Sequence, residues 1–197
     1  MFRIQYPIHT EAVDALLRVQ KQVPEAIVAG GCLRDSLLGR PINDIDIFVP
    51  DRDFFTAEIT VMETHPELTD IIYEPYFAWN NDVKQVRYYA GEGLLPVNLI
   101  AVYNCTPEAQ LARFDFGICK VAWDSVRLWK HTDFDIDARD ETFTLLAEYQ
   151  TEEQRAYSMG RYERLQAKYR GWRFIDATPK PLLYVTPPYD ALPFGDL

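Results

Sequence analysis

The stretch that most constrains this chain is Ala29-Gly30-Gly31-Cys32-Leu33-Arg34-Asp35-Ser36-Leu37-Leu38-Gly39-Arg40, followed by Asn43-Asp44-Ile45-Asp46-Ile47. Ala26 to Ala29 reads as a short buried strand running into the glycine pair. A short helix from Gly31 to Leu38 follows, stopped by Gly39 and Pro41, and Asp44 to Val49 reads as a second strand closed by Pro50. Glycines let a backbone approach a phosphate, and a helix start offers unpaired N–H groups to an anion. Alternate residues of a strand share a face, so Asp44 and Asp46 point one way while Ile45 and Ile47 point into the core. At ~3.3 Å per residue the two acids lie roughly 6.6 Å apart along the backbone, within reach of one cation. Two unpartnered carboxylates repel, so Mg²⁺ or an arginine is expected beside them. Taken singly each part is bland. A glycine pair is most often a turn, Arg34-Asp35 a surface ion pair of little energetic value, and Asp-Ile-Asp a wet edge strand. Their order and spacing together point to a phosphate cradle beside a metal site, and so to chemistry on a nucleoside triphosphate.

The rest of the composition narrows the classes. A chain of 197 residues with 48% hydrophobic residues can bury the core of one domain, here expected over 1–197. No apolar run reaches the roughly 20 residues needed to span a bilayer, and residues 1–13 lack an apolar secretory core. The three cysteines (Cys32, Cys105, Cys119) and three histidines (His9, His65, His131) have no zinc-like spacing, so reduced thiols in a cytoplasmic protein are expected. A formal charge of −10 argues against general nucleic-acid binding. A local basic groove remains open, with Arg34, Arg40, Lys84, Arg87 and Arg113 as its candidates.

Elsewhere the patterns predict a helix over Glu11–Gln22, capped by Thr10, with Val13, Leu16, Leu17 and Val23 as its apolar stripe. A helix over Arg52–Glu63 takes Asp51 as its cap. Strands are expected at Ile71–Tyr73, Lys84–Ala90 and Pro96–Val102, with a loop carrying Trp79 between the first two. Thr106-Pro107-Glu108 is a strong helix start, and that helix ends near Arg113. Phe116–Trp123 and Val126–Trp129 look like paired strands turning at Asp124-Ser125. The acidic run Asp133–Arg139 is expected to be a solvated loop or short helix. Glu152–Arg170 is the longest helical pattern, with Met159, Tyr162, Leu165 and Tyr169 on one side and Gly171 as its stop. A proline-rich tail begins at Thr178. Strands and helices mix without a βαβ rhythm, which predicts an α+β fold: a mixed sheet flanked by helices, with a C-terminal helix and an irregular tail.

The residues at 30–46 resemble the signature of the DNA polymerase beta-like nucleotidyltransferase superfamily. More narrowly, they are similar to the head domain of class II CCA-adding enzymes and bacterial poly(A) polymerases, whose pattern reads Gly-Gly-x-Val-Arg-Asp-x-Leu-Leu-Gly-Arg, then Asp-x-Asp. Leu33 alone departs from the first part, conservatively. Arg113-Phe114-Asp115-Phe116-Gly117-Ile118-Cys119-Lys120-Val121-Ala122 resembles the downstream motif Arg-Arg-Asp-Phe-Thr-Ile-Asn-Ala-x-Ala, with Phe114 in place of the second arginine and Cys119 in place of the asparagine. The resemblance covers roughly residues 20–125, leaving 126–197 as a helical extension and tail. It implies that Asp44 and Asp46 are catalytic and bind the metal, Mg²⁺. It also implies that Gly30, Gly31, Arg34 and Arg40 hold the triphosphate and that Asp115 lies near the sugar. Many superfamily members carry a third carboxylate on a later strand. The corresponding strand here is Val97-Asn98-Leu99-Ile100, which puts Asn98 at that position, and an amide cannot act as a general base at neutral pH. The Glu-Asp-x-x-Arg element that class II enzymes use to choose CTP and ATP is absent. About 75 residues follow the second motif, too few for the neck, body and tail that grip tRNA.

The expectation is therefore a stand-alone nucleotidyltransferase. It would pass a nucleoside monophosphate from Mg–NTP to a hydroxyl of an RNA 3′ end, a protein or a small molecule, and release pyrophosphate. Its alternative is a catalytically degenerate module that binds nucleotide or a partner without chemistry. A reduced tRNA 3′-end enzyme is the third reading, opposed by the acidic charge and the missing template element.

Overall fold

A computed structural model describes residues 6–72, 82–146 and 152–177. Its centre is a seven-stranded sheet in the order β3-β4-β5-β2-β1-β6-β7. The strands are β1 (Ile27–Ala29), β2 (Ile45–Pro50), β3 (Asp70–Ile72), β4 (Val83–Ala90), β5 (Val97–Val102), β6 (Val121–Trp123) and β7 (Leu128–Lys130). Only β2 and β5 run parallel; the other neighbours are antiparallel. The fold is the α+β mixed sheet that the element pattern predicts.

The two faces of the sheet are covered differently, and this is what places the site. On one face Ile45, Ile47 and Val49 of β2 and Val97, Leu99 and Ala101 of β5 join the main core. That core is closed by α1 (Thr10–Gln20), α2 (Gly31–Leu37) and α3 (Phe54–Thr64). The opposite face is thinner. It packs Phe48, Val102 and Ala122 against Leu111 of α4 (Pro107–Arg113). The start of α4 follows its sequence: Thr106 Oγ1 accepts the Ala109 N–H at 3.2 Å, with proline in the first turn.

Several elements depart from the sequence expectation. The first helix begins at Thr10 and turns Ala12, Ala15, Leu16 and Val19 inward, while Leu17 stays 45% exposed. Small alanines let the helix lie close to the sheet, so the buried face is set by fit rather than by the bulkiest residues. Asp51 opens a 3₁₀ turn ahead of α3 instead of capping it. The run from Phe116 to Trp123 is broken by a 3₁₀ turn over Gly117–Cys119. The acidic run folds as α5 (Thr132–Asp140), and its Asp137 is fully buried. One oxygen of Asp137 accepts the Thr142 and Thr144 hydroxyls, and the other accepts the backbone N–H groups of Ile118 and Thr144. A Cβ on Gly117 would lie 2.7 Å from that carboxylate, which explains the glycine and the turn together.

Behind α5 lies a second sheet that the patterns do not show, formed by β8 (Thr142–Leu145) parallel to β9 (Arg173–Asp176). It flanks α6 (Glu152–Lys168), which is stopped as expected by Gly171 at φ 90°. Phe143 fastens α6, with ring centroids 5.6 Å from both Tyr162 and Tyr169 and 5.2 Å from Trp172. The Trp79 loop and the proline-rich tail lie outside the described residues, as does Tyr73 at the end of the expected third strand. Among the described residues no helix is long and apolar enough to cross a membrane.

Candidate active site

The parallel pairing of β2 with β5 builds the floor of a cavity of about 660 Å³. Asp46 of β2 stands opposite Asn98 of β5, which stands opposite Tyr88 of β4. Two residues further along, Phe48, Ile100 and Val86 form a second row in the same register. All six side chains line the cavity, so its floor is a polar row beside an apolar one. Asp44 precedes β2 and joins the polar end.

Asn98 donates its amide to Asp46 Oδ1 at 2.8 Å. The amide thus fixes one oxygen of the aspartate, and it offers no proton-accepting group of its own. Burial, reinforced by the neighbouring Asp44 charge, pushes the Asp46 carboxyl up to about 7, against the pull of the Asn98 hydrogen bond. Burial raises Asp44 as well. Arg34 and Arg161 pull both carboxyls back down, but less than burial raises them, so further positive charge beside the pair would hold both ionised. A divalent ion with substrate phosphate oxygens would meet that demand, and the two carboxylates fit Mg²⁺ in kind and number. Among the described residues no third carboxylate, histidine or cysteine joins them as a metal-binding group.

The glycine turn is more closed than a bare cradle. Gly30 has φ 80° and ψ −130°, a conformation only glycine adopts readily, and its N–H is spent on the Val121 carbonyl at 2.8 Å. A Cβ there would meet the Phe114 ring at 2.9 Å, so the residue in place of the motif's second arginine fills the space over Gly30. Gly31 does line the cavity. So does Arg34, but it is only 4% exposed, and Arg34-Asp35 is a buried pair, not a surface one. Arg34 Nε donates to Asp35 Oδ1 at 2.7 Å, and its Nη1 reaches Cys119 Sγ at 3.3 Å. Arg40 sits outside the cavity, its guanidinium 5.5 Å from the centre of the Tyr169 ring.

Asp115 lies at the cavity wall in the grip of α6. Arg161 Nη1 donates to its Oδ1 at 2.6 Å and the Ser158 hydroxyl to its Oδ2 at 2.7 Å. The far end of α6 is held too. Lys168 Nζ donates to Asp35 Oδ2 at 2.6 Å, to the Pro41 carbonyl at 2.6 Å and to Asn43 Oδ1 at 3.2 Å, and the Tyr169 hydroxyl donates to Asp35. The apolar side read from the sequence of α6 does not reveal that Ser158, Arg161, Arg164, Leu165 and Lys168 line the cavity. Their three- and four-residue spacing marks one helical face, but the acids they meet are 43 to 133 residues away in sequence. The basic groove resolves unevenly. Arg113 joins the cavity and bonds Gln110 and the Asn104 carbonyl, while Arg87 pairs with Glu58 instead. Lys84 is exposed and does not line the cavity.

The model of the family described as "Gad2: Gabija anti-defense 2 family protein" matches residues 4–138, which include the whole glycine–aspartate unit and Asp115. The chain belongs to the Gad2 family. No curated protein matches it. Among solved structures, it is similar to a Bacillus stearothermophilus CCA-adding enzyme in complex with CTP (TM-score 0.58, 18% identity, 86% of this chain and 41% of that one). It is also similar to a CCA-adding enzyme in complex with ATP (0.58, 19%, 85% and 40%). A third is a Thermotoga maritima CCA-adding enzyme complexed with tRNA (0.53, 20%, 74% and 34%). These likenesses show that this Gad2 chain has the nucleotidyltransferase fold of those enzymes. The chain spans only about two fifths of their length or less.

Proposed function

We propose that this protein is a nucleotidyltransferase that moves a nucleoside monophosphate from Mg–NTP to a hydroxyl acceptor. The observation that carries the reading is the pair of half-buried acids, Asp44 and Asp46, at the polar end of a cavity large enough for a nucleotide. In the transfer, the acceptor oxygen bonds to the α-phosphorus as the bond from that phosphorus to the bridging β-oxygen breaks, and pyrophosphate leaves. Asp44 and Asp46 would hold the Mg²⁺. Bound there, the ion supplies charge neutralisation at the phosphates and lowers the acceptor's affinity for its proton. Asn98 holds Asp46 in one orientation but cannot take that proton. Gly31 and Arg34 border the space available to the phosphates, and the row of Phe48, Ile100 and Val86 offers the sugar or base an apolar bed.

The acceptor is an RNA 3′ end, a protein or a small molecule. The family's description as Gabija anti-defense 2 names no reaction, and it supports looking for the acceptor in the setting of Gabija defence. The CTP, ATP and tRNA named for the similar structures support a nucleotide as ligand and RNA as one of the acceptors to be tried first. Incubation with labelled NTPs, Mg²⁺ and a cell extract tests the reading. Label should pass to an acceptor with the wild type and not with Asp44→Ala or Asp46→Ala. No transfer above those variants with any of the four NTPs, in Mg²⁺ or Mn²⁺, would overturn it.

A second reading is a module that binds nucleotide without chemistry. It is favoured by Asn98 at the position of the third acid and by the engagement of Asp115 with α6. Calorimetry separates the two. Mg²⁺-dependent NTP binding without turnover supports the second reading, and turnover removes it.

A further inference from the structure

We infer that the polyphosphate of the nucleotide is received chiefly by α6, through the Arg164 guanidinium, with the glycine turn offering only its Gly31 edge. The inference rests on the nucleotide reading above and assigns one part of that site. It begins with what the turn has left to offer. The Gly30 N–H is bonded to Val121, and the Phe114 ring occupies the space over Gly30. The Arg34 guanidinium is buried and bound to Asp35, Tyr169 and Cys119. Arg40 lies outside the cavity.

The remaining cations of the cavity are Arg113, Arg161, Arg164 and Lys168. Arg113 is engaged with Gln110, Asn104 and Asp82. Arg161 is committed to Asp115, and Lys168 to Asp35, Pro41 and Asn43. These contacts hold α6 on either side of Arg164, at Arg161 and at Lys168, and so fix the Arg164 backbone between them. Arg164 lines the same cavity as Asp44 and Asp46, is exposed, and has no hydrogen bond or ion pair among the described residues. A triphosphate with one Mg²⁺ still carries net negative charge and needs a donor opposite the metal. A guanidinium meets phosphate oxygens through two parallel N–H bonds, and its position on a helix held on either side of it lowers the cost of ordering it.

The experiment is calorimetric and needs no turnover. Each of the four NTPs is titrated with Mg²⁺ into the full-length protein, and the tightest binder is compared with its own monophosphate. Arg164→Ala should weaken the triphosphate about 10–100-fold and leave the monophosphate within about twofold, while Arg164→Lys falls between, keeping charge but losing the fork. Arg170→Ala removes an exposed guanidinium outside the cavity and should change neither affinity. An unchanged melting temperature confirms that Arg164→Ala folds. Equal losses for triphosphate and monophosphate would overturn the inference, because Arg164 would then only shape the cavity. An unchanged triphosphate affinity would overturn it too, with the transferase reading still standing. A wild type that binds no NTP defeats the transferase reading and this inference with it.

Discussion

At the scale of single residues, the acids at the floor of the cavity trade stability for charge. Asp46 titrates near 7 in the fold and near the ordinary 3.8 when unfolded. Between those values the folded state binds the extra proton, so stability from this group is fully present at low pH and is lost as pH rises toward 7 and beyond. With metal removed by EDTA, Asp46→Asn should therefore raise the melting temperature at pH 8, by about 2–5 °C, and change it little at pH 4. A thermal melt at the two pH values checks this, and equal effects at both would show that charge is not the cause. Gly30 carries a different strain. Gly30→Ala places a methyl against Phe114 at a positive φ and should cost about 2–4 kcal/mol in urea unfolding. Phe114→Ala should relieve only part of that loss, because the backbone cost of φ 80° stays.

At the scale of elements, α6 is tied to the sheet by ion pairs and aromatic rings more than by an aliphatic seam. The Arg161–Asp115 pair is largely shielded, with side chains 26% and 11% exposed. Removing one partner leaves the other charge short of compensation, so Arg161→Ala should destabilise by about 2–4 kcal/mol. In hydrogen exchange, the amides of Glu152–Lys168 should lose protection before those of β2 and β5. If all three exchange together, α6 is part of the core and not a separately anchored wall. Here the limits of the sequence become physical. The glycine turn, β2 and β5 are legible, because local residue types alone dictate a turn, a two-residue alternation and the strands that carry them; the Asp46–Asn98 hydrogen bond is not, because it joins residues 52 positions apart. The inward face of α6 is not legible. Its Ser158, Arg161 and Lys168 look like ordinary solvated positions until the fold brings Asp115 and Asp35 to them. Asp137 is hidden in the same way. In an acidic run it reads as surface, yet it is buried because the Thr142 and Thr144 hydroxyls and two backbone N–H groups replace its water. Asp137→Ala should accordingly cost about 3 kcal/mol or more in chemical denaturation, well above a typical surface acid.

At the scale of the whole molecule, the chain has the fold of the CCA-adding enzymes it resembles. A helix from the C-terminal part supplies one wall of the cavity that holds Asp44 and Asp46, and the chain spans 34–41% of the similar enzymes' length. An overall charge of −10 then coexists with a cavity whose walls are rich in arginine and lysine. Such an acidic balance disfavours loose nucleic-acid binding without removing the positive charge gathered at the cavity wall. The claim on which everything else depends is that Asp44 and Asp46 share a cation with a nucleotide bound between the sheet and α6. A crystal structure with Mn²⁺ and a non-hydrolysable NTP tests it most directly, because anomalous scattering locates the metal by its own signal. The account predicts a Mn²⁺ peak at about 2.0–2.2 Å from carboxylate oxygens of both aspartates, with the triphosphate in the same cavity. Nucleotide bound elsewhere, or a metal that touches neither Asp44 nor Asp46, would contradict it.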